Sequence, residues 1–210
     1  MVIISHRGYW KVETERNSHF AFERSFSSGF GIETDIRDFN GILVISHDIP
    51  NERSMSVKAL FEFYNNFRTQ LVIAINIKSD GLQSKLKELL HQYKIDNYFV
   101  FDMSAADGLS YLKHGFKFFT RQSEYENKPS FYDDAQGVWL DEFHRHWINE
   151  KIIKKHLKNG KKICIVSPEL HGRSYLEEWN DYKKIIAKSG IADIMICTDY
   201  PAEAKEFFNG

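Results

Sequence analysis

The sequence predicts an α/β chain of parallel strand–helix repeats, and a (β/α)8 barrel is the architecture that fits. Three observations carry this. Short β-branched and aromatic runs recur along the chain, amphipathic stripes at helical spacing lie between them, and polar residues stand at the end of almost every strand-like run. About eight alternations argue for parallel pairing, because each parallel return needs a crossover connection. At 210 residues the chain is at the small end for such a barrel. An open doubly wound sheet uses the same repeats and is the alternative at this level. Length favours one domain, residues 1–210.

The expected strands are 2–5, 30–36, 42–46, 71–77, 98–102, 116–120, 137–140, 163–166 and 191–197. The third follows Asn40-Gly41, a hairpin dipeptide, so it pairs back on the second and leaves eight principal strands. Helix ends are also visible. Asn17 can cap a helix that Gly29 stops, and Asp80-Gly81 precede the stripe Leu82, Leu86, Leu89, Leu90, Tyr93. Ser104 and Asp107 resemble a capping box, with Gly115 beyond the helix end. Two further stripes are Ile148, Ile152, Ile153, Leu157 before Gly160, and Leu176, Trp179, Tyr182, Ile186 before Gly190. Segment 121–136 is polar and aperiodic, so a loop is expected where an outer helix would stand.

Composition narrows the function classes. The net charge of −1 gives no global electrostatic case for nucleic acid or an anionic membrane, so phosphate recognition must come from local cations. No apolar run approaches the ~20 residues of a membrane span. A strand begins at Val2 where a leader would stand, so a cytoplasmic protein is expected. Cys164 and Cys197 lie in apolar strand-like runs and read as core residues of a reduced protein. With 17 Phe and 10 Tyr, the core is expected to be built from bulky side chains.

The chemistry concentrates between Val2 and Asp48. His6-Arg7 follow VIIS, Glu33 and Asp35 alternate inside FGIETDIR, and His47-Asp48 follow ILVIS. Period two points Glu33 and Asp35 the same way, which is costly unless something positive sits between them. That positive partner is either a metal ion or Arg7 and Lys78 in internal ion pairs. Asn76 and Lys78 share a face in the same manner, and a buried lysine needs an anion such as a phosphate or Glu33. Two imidazoles, two carboxylates and an arginine suit acid–base chemistry on an anionic substrate.

Strand ends further along add Asp102, Arg121, Asp141-Glu142, Glu169, His171 and Asp199 to a polar rim, where a barrel carries its site. Glu169 and His171 read equally as substrate contacts or as caps of a helix beginning near Ser174. The HRH cluster at 144–146 and the run KKHLKNGKK at 154–162 read as solvated faces. His19 and His114 read as structural or exposed, and Asp48 as orienting His47 or its loop.

Taken in order, these pieces resemble the glycerophosphodiester phosphodiesterase family, whose opening reads H-R-G, E-N-T-x-x-A-F, E-x-D, D-G and H-D. The matching residues are His6-Arg7-Gly8, Arg16-Asn17-Ser18 with Ala21-Phe22, Glu33-Thr34-Asp35, Asn40-Gly41 and His47-Asp48. Thr198-Asp199-Tyr200-Pro201 resembles the family's closing T-D-x-P. Each motif alone is weak; their order and spacing are specific.

The resemblance implies a TIM-like barrel of the PLC-like phosphodiesterase type and a role in lipid metabolism. It implies hydrolysis of a small, glycerophosphodiester-like phosphodiester to a phosphomonoester and an alcohol. His6 and His47 would be the catalytic pair, with Arg7 on a non-bridging oxygen. A divalent cation, Mg²⁺ or Ca²⁺, would be held by Glu33, Asp35 and the position of Asn76. Substrate contacts would fall to Arg7, Lys78, Arg121, Glu169 and His171.

Two departures stand out. The family's E-x-K on the third strand reads Asn76-x-Lys78 here, and only Ile49 to Ser56 separate His47-Asp48 from the next helix, where relatives carry a longer insertion. The same constellation in phospholipase D toxins supports a cyclising lyase or phosphotransferase. A degenerate barrel that binds a phosphorylated ligand without turnover is the non-enzymatic alternative.

Overall fold

The structure is a computed structural model that describes residues 1–67, 69–189 and 194–210. Its residues form two compact units, Ser5–Phe118, and Met1–Ile4 together with Phe119–Gly210. β1 (Val2–Ser5) ends where the first unit starts.

The first unit continues through α1 (His19–Ser28), β2 (Gly31–Phe39), β3 (Ile42–Ile45), α2 (Val57–Asn66) and β4 (Ile73–Ile77). It closes with α3 (Gln83–Gln92), β5 (Tyr98–Phe101) and α4 (Ala105–Lys113). β2, β4 and β5 pair in parallel, in a register that sets Asp35 opposite Asn76. Parallel strands are covered on both faces, and accordingly Ile32, Ile36, Ile73, Ile75 and Val100 are buried. β3 runs antiparallel to β2 across Asn40-Gly41, both at positive φ as a type I′ turn requires.

The helix caps follow the sequence with one shift. Ser18, not Asn17, caps α1, its hydroxyl accepting the Ala21 N–H, and Gly29 ends the helix at φ 78. Ser56 and Ser104 cap α2 and α4 in the same way. The strand expected at 116–120 begins later, at Phe119; Phe118 makes an isolated bridge to Val100.

The second unit contains β6 (Phe119–Gln122), β7 (Gly137–Leu140), α5 (Glu150–Lys158), β8 (Lys162–Val166), α6 (Leu176–Ser189), β9 (Ile194–Thr198) and α7 (Pro201–Asn209). β6, β7, β8 and β9 pair successively in parallel. Of the aperiodic segment 121–136, residues 121–122 complete β6, and 123–136 carry no helix, as the lack of period implied. Pro168–His171 form a single 3-10 turn, and α6 starts at Leu176, near Ser174 as expected. The expected strand residues 191–193 and the expected helix stop Gly190 lie outside the described residues. Cys164 and Cys197 are buried on β8 and β9, and Trp179 and Tyr182 anchor α6 in the core.

One solvated-face expectation fails inside KKHLKNGKK. His156 is buried one helical turn from Ile153, between the Tyr132 hydroxyl and the Gln122 side chain at 2.8 Å each. Burial lowers its pKa to about 4, so it is a neutral core residue. No helix among the described residues is long and apolar enough to cross a membrane.

Candidate active site

The first unit gathers His6, Arg7, Glu33, Asp35, His47, Asn76 and Lys78. After β1 the chain turns through Arg7 and Gly8, both left-handed at φ 55 and 82. A Cβ at position 8 would meet Ala21 Cβ at 2.8 Å and the Ala21 carbonyl carbon at 2.9 Å, so glycine alone lets this loop cross α1. The turn brings the Arg7 N–H to Glu33 Oε2 at 3.2 Å and Arg7 Nε to within 3.3 Å of Asp35 Oδ2. His6 Nε2 lies 3.9 Å from Glu33 Oε2.

Glu33, Asp35 and Asn76 are 2%, 1% and 7% exposed, so little solvent screens them. Lys78 Nζ lies 3.4 Å from Asp35 Oδ1, and Asn17 Nδ2 donates to Asp35 Oδ2 at 2.8 Å. The internal ion-pair network foreseen from the sequence is therefore present around Asp35. It leaves two acceptors over: Asp35 Oδ1 and Asn76 Oδ1 are buried and find no hydrogen-bond donor among the described residues. A buried acceptor left unsatisfied costs about 1–3 kcal/mol, so two at facing register positions call for an explanation. Burial pushes the Glu33 carboxyl well above its usual pKa, and the Asp35 charge adds to this, against the pull of Arg7 and Lys78. Carboxylate and amide oxygens are the donors hard cations take. The residues present fit a divalent ion.

His47 follows the end of β3. Its Nδ1 lies 2.9 Å from Asp48 Oδ1, and Arg37 Nε donates to its carbonyl at 3.1 Å. A carboxylate only accepts, so Nδ1 is the donor of this hydrogen bond. The hydrogen bond from His47 also lowers the Asp48 pKa. The following loop is short and closes tightly, with the Ile45 N–H on the Met55 carbonyl at 2.7 Å. Arg7, Arg16, Asn17, His47 and Arg53 line an open groove of ≈ 720 Å³ over it.

The remaining candidates belong to the second unit. His171 Nε2 meets Asp141 Oδ1 at 2.6 Å, and Arg121 lies 3.7 Å from the other Asp141 oxygen and 3.2 Å from Glu126. Glu169, in the same unit, has other partners. Its carboxylate accepts from the Ser167 and Thr198 hydroxyls and the Asp199 N–H, tying the ends of β8 and β9, while burial raises its pKa.

Sequence reading missed a further cluster there. Glu142, His146 and Glu178 bring ligand-type atoms within 4.8 Å of one another. Glu142 accepts the N–H groups of Trp147 and Ile148 at 2.6 Å and the Tyr182 hydroxyl at 2.8 Å, and Arg173 pairs with Glu178. Burial and the adjoining Glu142 raise the Glu178 pKa to about 8, so this pair is neutralised by a proton and an arginine. The available signal was the i,i+4 spacing of Glu178 and Tyr182 on the buried side of α6.

No protein-family model matches the sequence, and no curated protein matches it. Solved structures do. A glycerophosphodiester phosphodiesterase from Agrobacterium tumefaciens superposes with a TM-score of 0.71 at 16% identity, covering 100% of both chains. A glycerophosphoryl diester phosphodiesterase from Parabacteroides distasonis gives 0.70 at 15%, covering 99% of this chain and 86% of that one. An Oleispira antarctica phosphodiesterase, in complex with the product sn-glycerol-3-phosphate, gives 0.68 at 13%, covering 100% and 97%. The fold is the TIM-like (β/α)8 barrel. This decides against the doubly wound alternative, and the barrel carries His6, Arg7 and His47 in loops that follow strands.

Proposed function

We propose that the chain is a phosphodiesterase that hydrolyses a small phosphodiester to a phosphomonoester and an alcohol with the help of a divalent cation. The observation that carries this reading is the pair of buried oxygens, Asp35 Oδ1 and Asn76 Oδ1, that accept no hydrogen bond among the described residues, in a site with Glu33, Arg7 and Lys78. Likeness of fold to glycerophosphodiester phosphodiesterases over the whole chain supports it.

Glu33, Asp35 and Asn76 would hold the ion, Mg²⁺ or Ca²⁺, which when bound polarises a phosphoryl oxygen. The Arg7 guanidinium, a planar fork of donors, binds a non-bridging oxygen, with Lys78 adding a second positive charge. One histidine of the pair His6/His47 takes a proton from the attacking water as its oxygen bonds to phosphorus. The other gives a proton to the alcohol oxygen as the P–O bond breaks. Asp48 holds the His47 ring in the tautomer with Nε2 available for that transfer.

The short loop after His47 and the open groove beside it suit a leaving alcohol larger than glycerol, or several alcohols. The test is turnover of glycerophosphocholine, glycerophosphoethanolamine and a bulky aryl or sugar phosphodiester, with Mg²⁺, with Ca²⁺ and with chelator. Metal-dependent release of a phosphomonoester is expected. A cyclic phosphate product would replace hydrolysis by cyclisation, and no turnover under any condition would overturn the reading.

A further inference from the structure

Asn17 stands one residue before the cap of α1, in the left-handed region at φ 58, and its three polar groups reach three parts of the candidate site. Its N–H donates to the Arg7 carbonyl at 2.9 Å. Its Nδ2 donates to Asp35 Oδ2 at 2.8 Å, and its Oδ1 accepts from the buried Thr34 hydroxyl at 2.9 Å. The orientation of the amide is determined, because an ionised carboxylate only accepts and must face the NH₂ group.

We propose that Asn17 is a positioning residue that selects which oxygen of Asp35 is presented to the divalent cation. This rests on the phosphodiesterase reading above. Asn17 and Arg7 both lie against Oδ2, so the carboxylate is pinned by one oxygen. The other, Oδ1, has Lys78 Nζ 3.4 Å away but accepts no hydrogen bond among the described residues, and neither does Oδ1 of Asn76, its register partner. Without the amide, Asp35 is free to turn and close a full hydrogen bond with Lys78, whose Nζ already lies 3.4 Å from Oδ1, which would occupy the oxygen meant for the cation. The Thr34 hydroxyl keeps Asn17 from turning, and the N–H bond to Arg7 makes the loop that carries Arg7 depend on the same residue. A purely conformational role, supplying a left-handed residue ahead of the helix, would need only φ above zero.

Asn17→Gly separates the two roles, since glycine keeps the left-handed backbone and removes the amide. Titration calorimetry with Mg²⁺ and Ca²⁺ should show affinity weakened by about 10–100-fold, the usual effect of removing a group that orients a metal ligand. Thermal melting of the metal-free protein should move little. Thr34→Val, which leaves residue 17 untouched, should weaken affinity in the same direction by a smaller factor. In a cycle with Asp35→Asn, the double variant should be no weaker than Asp35→Asn alone, because Asn17 acts through Asp35. Wild-type affinity in Asn17→Gly, or effects that simply add in the cycle, would overturn the proposal while leaving the phosphodiesterase reading intact. A wild-type protein that binds neither ion would overturn both.

Discussion

Two pairs of buried carboxylates, Glu33/Asp35 in the first unit and Glu142/Glu178 in the second, pose the same electrostatic problem in different surroundings. Glu142 takes two backbone N–H groups and the Tyr182 hydroxyl, while Glu178 takes Arg173. No oxygen of that pair is left without a hydrogen bond among the described residues. Around Glu33/Asp35 the cations Arg7 and Lys78 stand 3.3 and 3.4 Å from Asp35, and an Asp35 oxygen and an Asn76 oxygen accept no hydrogen bond among the described residues. A pair satisfied from within acts as a structural clasp. A pair left short of donors is suited to a ligand, because the cost of its buried, unsatisfied acceptors is relieved on binding.

The largest expected effect tests the functional side of this contrast. His6→Ala or His47→Ala should lower kcat/KM by roughly two to four powers of ten, the usual worth of general acid–base catalysis, with circular dichroism unchanged. Near-wild-type turnover by His47→Ala would break the comparison at its functional end.

Glu142→Ala should do the reverse. Removing one partner of a buried charged network costs about 3–5 kcal/mol. Denaturant unfolding should show that loss, with activity per folded molecule unchanged. A variant as stable as the wild type would mean the second pair is no clasp.

A smaller effect sharpens the contrast. Asn76→Glu adds a negative ligand charge at the position facing Asp35, and ligand charge is a principal control of hard-cation affinity. Calorimetric titration should show tighter binding by about tenfold. Equal affinities would assign Glu33 and Asp35 to ion pairing with Lys78 and Arg7 alone.

The smallest effect is a slope with pH. The Glu178 pKa is raised from 4.5 to about 8, so the folded state holds this proton more tightly than the unfolded chain. Its contribution is fully present below pH 4.5 and is lost as pH rises through about 8. The lowered pKa of Glu142, whose burial is outweighed by its hydrogen bonds from Glu178 and the Ile148 and Trp147 N–H groups, acts in the opposite sense only at lower pH. Melting temperature should therefore fall between pH 5 and pH 8, and more shallowly in Glu178→Gln; parallel curves for the two proteins would show that Glu178 does not hold the proton.

Much of the fold and part of the site were legible in the sequence because they depend on local periods. Strand runs, the Asn40-Gly41 hairpin and the shared face of Glu33 and Asp35 follow from alternation and turn chemistry, which neighbouring residues encode. His47 at the end of β3 was readable for the same reason. Tertiary structure alone decided the rest. The β2–β4 register set Asp35 opposite Asn76, and the left-handed turn at Arg7 aimed its side chain at Asp35. Asn17 read as a cap, yet its side chain crosses to a carboxylate on another element; His156 sat in a basic run, yet faces the core. Glu178 meets Glu142 through tertiary contacts of α6, whose Tyr182 hydroxyl donates to Glu142. Such contacts depend on register, loop path and helix rotation, which are settled by packing between distant segments and leave no period in the chain.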